Sequence, residues 1–345
     1  MVDLRILLLS PRISGVGGIA QHVRQLAIRL RKMGNEVDVV STEIMKLRLR
    51  KRLANIGYGI ISSMKILGEE YDIVHGHNLP SIIAVSSARA YVKILTLHGV
   101  YSKQITLLYG RVVGGLAEIF ERYILRGLDV VTAVSMHAVK YYQSLGIRTI
   151  HIPNAIDLSE MPREGERVSE PQITYLGRLS KEKGVDLLIG AALRGLRGLV
   201  IAGDGPMRPL IEYAARRGLL KFLGPLPREK ALKILAGSDV AVLPSREEGL
   251  STMILEAMAL RIPIVATRVG GTVEVLEHGK DAVLVNANPD EIKQAVKHLL
   301  EDETYSRYLV ENAYQKLIKH YNWDIIEQQY MKLYKKALED RVSNV

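Results

Sequence analysis

The segment from Pro244 to Gly271, PSREEGLSTMILEAMALRIPIVATRVGG, decides how the rest of the chain is read. It begins as the end of a buried strand, passes through a tight charged loop into a short apolar helix, and returns as a second buried strand. Glu248 lies in the loop and Glu256 in the helix, so one carboxylate stands at the helix mouth and the other about one turn inside, where both can face one ligand. Gly249 lets the chain turn, and Ser251 or Thr252 can cap the helix. Free backbone N–H groups and the positive end of the helix dipole then face outward as a seat for an anion. Ionised carboxylates beside that seat only accept hydrogen bonds, and hydroxyls donate them. The combination suits a phosphate attached to hydroxyl-rich groups, as in a nucleotide sugar.

On either side of this segment the chain alternates apolar runs with amphipathic stretches. Runs at Leu4–Ser10, Glu36–Ser41, Asp72–His77, Lys93–His98, Val130–Ser135 and Thr149–Asn154 predict parallel strands covered on both faces. A polar stretch without periodicity, Asp157 to Pro171, reads as a linker. The alternation then restarts with strands at Ile173–Gly177, Leu199–Gly203, Lys221–Gly224, Val240–Ser245, Ile262–Thr267 and Ala282–Val285. Two doubly wound α/β domains follow, over residues 1–158 and 159–323, with an amphipathic helix from Trp323 to about Glu339 after them.

The 345 residues, 48% hydrophobic and 24% charged, are enough for two cores. The chain has no Cys, which excludes disulfides and thiolate chemistry and fits a reducing compartment. No run reaches the roughly 18 apolar residues of a membrane span, and Met-Val-Asp leads directly into a strand, so a cytoplasmic location is expected. Of the net +10, residues 1–158 carry 20 Lys and Arg against 11 Asp and Glu, or +9. The basic half points to an anionic partner, and its charge is concentrated in Ile44–Arg52, where Lys46, Arg48, Arg50, Lys51 and Arg52 alternate with apolar residues. That run reads either as a solvated basic loop or as a contact with an anionic membrane surface, the latter making the protein peripheral on the inner face of the cell membrane. No zinc, helix-turn-helix or aromatic RNA-binding pattern supports a nucleic acid partner.

Three further features bear on chemistry. Gly15, Gly17 and Gly18 follow the first strand and come close to a dinucleotide fingerprint. Pro-Arg-Ile-Ser intervenes, however, and a loop admitting a phosphate at Gly17 and Gly18 accounts for them without NAD. Gly177-Arg178-Leu179-Ser180-Lys181-Glu182-Lys183-Gly184 leaves the carboxyl end of a strand, where Arg178 can grip phosphate oxygens bidentately and Lys183 can act as a point charge. His75, His77 and His98 fall at strand carboxyl ends, the ligand edge of an open α/β sheet, but His75 and His77 lack a third neighbour to make a metal site.

The spacing of Glu248 and Glu256 within P-S-x-x-E-G-x-x-x-x-x-L-E-A-M-A, followed by I-P-I-V-A-T-x-V-G-G, resembles the donor-site signature of retaining glycosyltransferases of family four. The G-R-L-x-x-x-K-G loop, I-P-N-A-I-D at Ile152–Asp157, A-G-D-G-P at Ala202–Pro206 and S-D-V-A-V-L-P-S at Ser238–Ser245 also match that wording, so the likeness covers nearly the whole chain. It implies a GT-B architecture: two Rossmann-like domains facing a cleft, the first on the acceptor side with the C-terminal helix 324–345 crossing back to it, the second binding the donor. By the same resemblance Arg178 and Lys183 hold the diphosphate, Glu256 the ribose hydroxyls and Glu248 the transferred sugar. Gly17, Gly18, Gly249, Leu250, Ser251 and Thr252 complete the phosphate seat, and His98 meets the sugar.

The implied reaction moves a hexose with retention from a UDP- or GDP-sugar to an acceptor hydroxyl, lipid-linked or phosphorylated. No cofactor is implied, and the chain contains no Asp-x-Asp, so metal-independent transfer is expected. Two departures stand out: Leu260-Arg261 occupies the helix exit where the family usually has Gly, and Ser251 stands where relatives often have Pro. The alternatives are a nucleotide-sugar epimerase or NAD-linked oxidoreductase on a similar fold, or a non-catalytic protein binding anionic surfaces.

Overall fold

The computed structural model describes residues 3–11, 18–41 and 68–343. The chain divides into two compact units, Met1–Asn154 with Asp324–Val345, and Ala155–Trp323.

In unit 1 the elements run β1 (Arg5–Leu9), α1 (Gly18–Lys32), β2 (Glu36–Val40), β3 (Glu70–His77), α2 (Ile82–Ser87), β4 (Arg89–Leu97), α3 (Tyr101–Tyr109), α4 (Arg111–Leu125), β5 (Val130–Ala133), α5 (Met136–Ser144) and β6 (Thr149–His151). The six strands pair in parallel in the order β2-β1-β3-β4-β5-β6. Side chains such as Ile6, Leu8, Ile73, Val92 and Ile94 are fully buried, which explains why these strands read as continuous apolar runs rather than alternating ones.

Unit 2 runs β7 (Ile173–Leu176), α6 (Val185–Leu193), β8 (Leu199–Ala202), α7 (Arg208–Arg216), β9 (Lys221–Phe222), α8 (Arg228–Ala236), β10 (Val240–Leu243), α9 (Thr252–Ala259), β11 (Ile264–Thr267), α10 (Thr272–Val275), β12 (Val283–Val285), α11 (Pro289–Glu301) and α12 (Glu303–His320). Its parallel order is β12-β11-β10-β7-β8-β9, with Ala241 of β10 in register with Thr174 of β7. The order reverses between β7 and β10, and in open α/β sheets a ligand crevice forms outside the carboxyl ends at such a switch point. The last helix, α13 (Trp323–Val342), leaves unit 2 and completes unit 1. There Arg29 on α1 bonds Asp324 at 2.8 Å and Glu327 at 2.7 Å.

Three expectations are revised. The polar segment Asp157–Pro171 is not a free linker: Glu166 N–H donates to the Lys233 carbonyl at 2.8 Å, and a Cβ on Gly165 would lie 2.4 Å from the Gly237 nitrogen. Its packing uses backbone, which leaves no hydrophobic period to read. Several strands end before their predicted last residue because the glycine or serine there already belongs to the loop, as with Gly177, Gly203 and Ser245. β11 starts at Ile264 rather than Ile262, because the Ile262 N–H closes the end of α9 on the Ala257 carbonyl. Beside it Arg261 takes the left-handed backbone conformation, φ 56°, that glycine reaches more easily, with its guanidinium 3.8 Å from the Tyr314 ring centre and paired with Glu311.

Candidate functional site

Two loops meet at the switch point of unit 2. The loop after β7 carries Arg178 to Gly184, and the loop after β10 carries Pro244 to Gly249. Gly184 has φ 66°, and a Cβ there would sit 1.9 Å from the Pro244 carbonyl oxygen, so only glycine lets these backbones touch. The N–H groups of Arg246 and Glu247 bond the Glu182 carbonyl at 2.7 and 3.2 Å, and the Arg246 guanidinium clamps Asp186 bidentately at 2.7 and 2.6 Å. A third loop joins them after β11: Gly271 N–H donates to the Glu248 carbonyl at 3.0 Å, and a Cβ on Gly270, φ 45°, would lie 2.0 Å from that oxygen. These glycines fix the Glu248 backbone.

The Glu248 carboxylate is 6% exposed and accepts from both sides. Lys183 Nζ donates to Oε1 at 2.8 Å and Oε2 at 2.7 Å, and Ser245 Oγ donates to Oε2 at 3.0 Å. Two residues that the resemblance assigned to neighbouring parts of one ligand thus pair directly in the protein alone. Arg178, in the same loop as Lys183, lies 3.8 Å from Glu182 Oε1, and its side chain is 62% exposed. Glu182 is held in turn by Ser180 Oγ at 2.6 Å.

Glu256 faces a partner that sequence reasoning missed. Arg228 at the start of α8 bonds its Oε1 at 2.5 Å and lies 3.4 Å from Glu160 Oε2. Burial pushes the Glu256 carboxyl up; Arg228 opposes that push and Glu160 adds to it. Nothing in PLPREK marks Arg228, because the pairing spans 28 residues; the only local cue is a cation at a helix start, where the dipole disfavours it. Asp186, unnoticed in the first turn of α6, is the partner of Arg246.

Gly249 and Leu250 are buried where the chain enters α9. Ser251 occupies the N-cap but, contrary to expectation, its side chain makes no capping bond, and Thr252 is already the first helical residue. The first-turn N–H groups of a helix have no intrahelical partner. Gly18 opens α1, whereas Gly17 and the basic run Lys46, Arg48, Arg50, Lys51 and Arg52 lie outside the described residues.

His98 belongs to unit 1, at the end of β4, with its Nε2 3.2 Å from His77 Nδ1 and its N–H bonded to the Asn78 side chain at 2.9 Å. His22 and His75 complete a cluster with ring centres between 4.4 and 5.5 Å apart along its edges. Tyr330 of α13 bonds His22 Nε2 at 3.0 Å, Tyr334 of α13 bonds His75 Nδ1 at 2.7 Å, and Thr96 bonds His75 Nε2 at 2.7 Å. Burial holds all four imidazoles neutral, taking His75 and His98 down to about 3 and His22 and His77 well below the usual range. Among the described residues no three His, Asp or Glu side chains converge on a metal position.

A parallel sheet with a charged site at its switch point is the plan of a ligand-binding α/β fold, and comparison with known proteins narrows it. Residues 158–316 match the family described as Glycosyl transferases group 1, and residues 16–160 match Glycosyltransferase Family 4. An uncharacterized glycosyltransferase of Methanocaldococcus jannaschii is 28% identical over 95% of this chain and 96% of its own length. Sucrose-phosphate synthase from Thermosynechococcus elongatus superposes with a TM-score of 0.82 at 20% identity, covering 97% of this chain and 99% of that one. Anabaena HepE in complex with UDP and glucose superposes at 0.74 with 18% identity, covering 96% and 100%. The chain belongs to glycosyltransferase family four, with the two-domain α/β architecture of the GT-B enzymes, and it is a glycosyltransferase. That sets aside the epimerase, oxidoreductase and non-catalytic alternatives.

Proposed function

We propose that this enzyme moves a hexose from a UDP- or GDP-sugar to an acceptor hydroxyl, with retention and without a metal ion. The observation that carries the reading is the Lys183–Glu248 pair at the switch point, with the exposed Arg178 in the same loop as Lys183. In the protein alone the two neutralise each other; a sugar diphosphate offers each a better partner, phosphate oxygens for Lys183 and sugar hydroxyls for Glu248. Breaking the bond from sugar C1 to phosphate builds negative charge on the departing diphosphate. Lys183, Arg178 and the first-turn N–H groups of α9 stabilise that charge, and fixed donors of this kind lower the barrier directly. Glu256, steadied by Arg228, accepts hydrogen bonds from the ribose. The complex of HepE with UDP and glucose supports a donor of that chemistry. The acceptor is a hydroxyl compound, lipid-linked if the basic run 44–52 docks on an anionic membrane from the cytoplasmic side.

Calorimetry tests the donor site. Arg178→Ala and Lys183→Ala are expected to weaken binding of UDP or GDP far more than binding of uridine or guanosine, since the lost contacts are to phosphate. Equal losses for nucleotide and nucleoside would reject the assignment. Transfer that fails in EDTA and returns with Mg²⁺ or Mn²⁺ would reject the metal-independent reaction.

A further inference from the structure

The helical hairpin α3–α4 of unit 1 is built inside out. On α4 the buried residues are Gly114, Glu121 and Leu125, while Val112, Leu116, Ile119, Phe120 and Tyr123 face solvent, each between 55% and 81% exposed. Their spacing draws one continuous stripe along the helix, the pattern that a helix packed on a core turns inward. Tyr109, at the end of α3, extends it and is 66% exposed.

The polar side of the hairpin is the side attached to the protein. Ser102 Oγ lies 2.8 Å from the Tyr141 hydroxyl, Tyr141 donates to Glu118 at 2.5 Å, and Tyr142 donates to Glu121 at 3.0 Å, all onto α5. The two helices pack tightly on each other, since a Cβ on Gly114 would fall 1.8 Å from Thr106 Oγ1. The apolar face is therefore held outward by a fixed set of bonds.

Charge selects the occupant. Both acidic residues of the hairpin, Glu118 and Glu121, are spent on α5, whereas Arg111, Arg122 and Arg126 are exposed and have no acidic partner among the described residues. A second copy docking by the same face would set arginines against arginines. An anionic bilayer matches both features, taking the aromatic and aliphatic stripe at the acyl boundary and pairing the arginines with headgroup phosphates. We propose that the outward face of the α3–α4 hairpin inserts into the surface of an anionic membrane. The inference concerns unit 1 alone and uses residues separate from the basic run 44–52, so it stands or falls independently of the donor chemistry and of that run.

The chain has no Cys, so Leu116→Cys gives a single labelling point for a polarity-sensitive fluorophore. With mixed phosphatidylglycerol–phosphatidylcholine vesicles the emission is expected to shift to the blue and to become shielded from an aqueous quencher, and pure phosphatidylcholine should do neither. A variant combining Val112→Ser, Ile119→Ser and Tyr123→Ser, in the unlabelled chain, should lose at least tenfold in vesicle affinity while keeping its thermal midpoint and its UDP affinity. Vesicle binding without an emission change would overturn the inference and leave the basic run as the contact. An emission shift that follows protein concentration without lipid would overturn it in favour of a second copy. Indifference to anionic vesicles would overturn it outright.

Discussion

The carboxyl ends of the two sheets carry buried polar groups of opposite kinds. In unit 1 the groups there are uncharged and hydrogen-bonding: the imidazoles of His75, His77 and His98 at strand ends with His22 of α1 beside them, Thr96 and Thr132, and the Tyr330 and Tyr334 hydroxyls. In unit 2 they end in ion pairs, Lys183 with Glu248 and Arg228 with Glu256. A neutral network costs less to bury than a set of ions does, even with His77 Nε2 left without a hydrogen-bond partner among the described residues, and it holds elements in place. A buried ion pair is a weaker stabiliser because both ions are desolvated, but either ion can exchange its partner for a ligand. One sheet end is thus built to stay closed and the other to be opened by substrate.

Acidification should break this difference most strongly. The cluster imidazoles have folded pKa values below that of the unfolded chain, so the stability they confer is present above about pH 6.5 and is lost as the pH falls, when the unfolded chain takes up protons first. For His75 and His98, held near 3, the loss is about 1.4 kcal/mol per residue per pH unit, roughly 5 kcal/mol for the two at about pH 4.5. Hydrogen exchange read by mass spectrometry should show β3, β4 and α13 opening in mild acid while β7, β8 and β10 stay protected; uniform loss across both units would contradict the contrast.

Next in size is the charged end. Glu248→Gln keeps the shape but removes the ion that Lys183 faces, and kcat/KM for transfer should fall about a hundredfold, close to 2.7 kcal/mol, with the fold intact. Unimpaired turnover would remove Glu248 from the site. The smallest effect sharpens the neutral side: Tyr334→Phe deletes the hydroxyl at His75 Nδ1 and should cost about 1–2 kcal/mol in urea unfolding, with little change in donor affinity. A variant as stable as the parent would mean that this bond contributes nothing.

Much of this was legible in the chain itself. Fully covered strands announce themselves as apolar runs, and the glycines of K-G and V-G-G mark the places where loops touch. What stayed hidden was long-range. The strand order reversing at β7 and β10 leaves no trace in local pattern, although it is what brings Lys183 to Glu248 across 65 residues. Arg228 looked like any cation beginning a helix, and the four histidines looked separate because their tyrosine partners lie as many as 308 residues away in α13. The polar stretch before β7 passed for a linker because its packing runs through backbone groups.

That α13 supplies Tyr330 and Tyr334 to unit 1 also sets the order in which the nascent chain can finish folding. Unit 2 is one continuous stretch, Ala155–Trp323, and can close as soon as it has left the ribosome. Unit 1 emerges first yet waits for Asp324–Val345, so throughout the synthesis of unit 2 its histidines stand without their tyrosine cover. The segment made earliest is completed last, and a ribosome stalled short of α13 would hold a finished unit 2 beside an open unit 1.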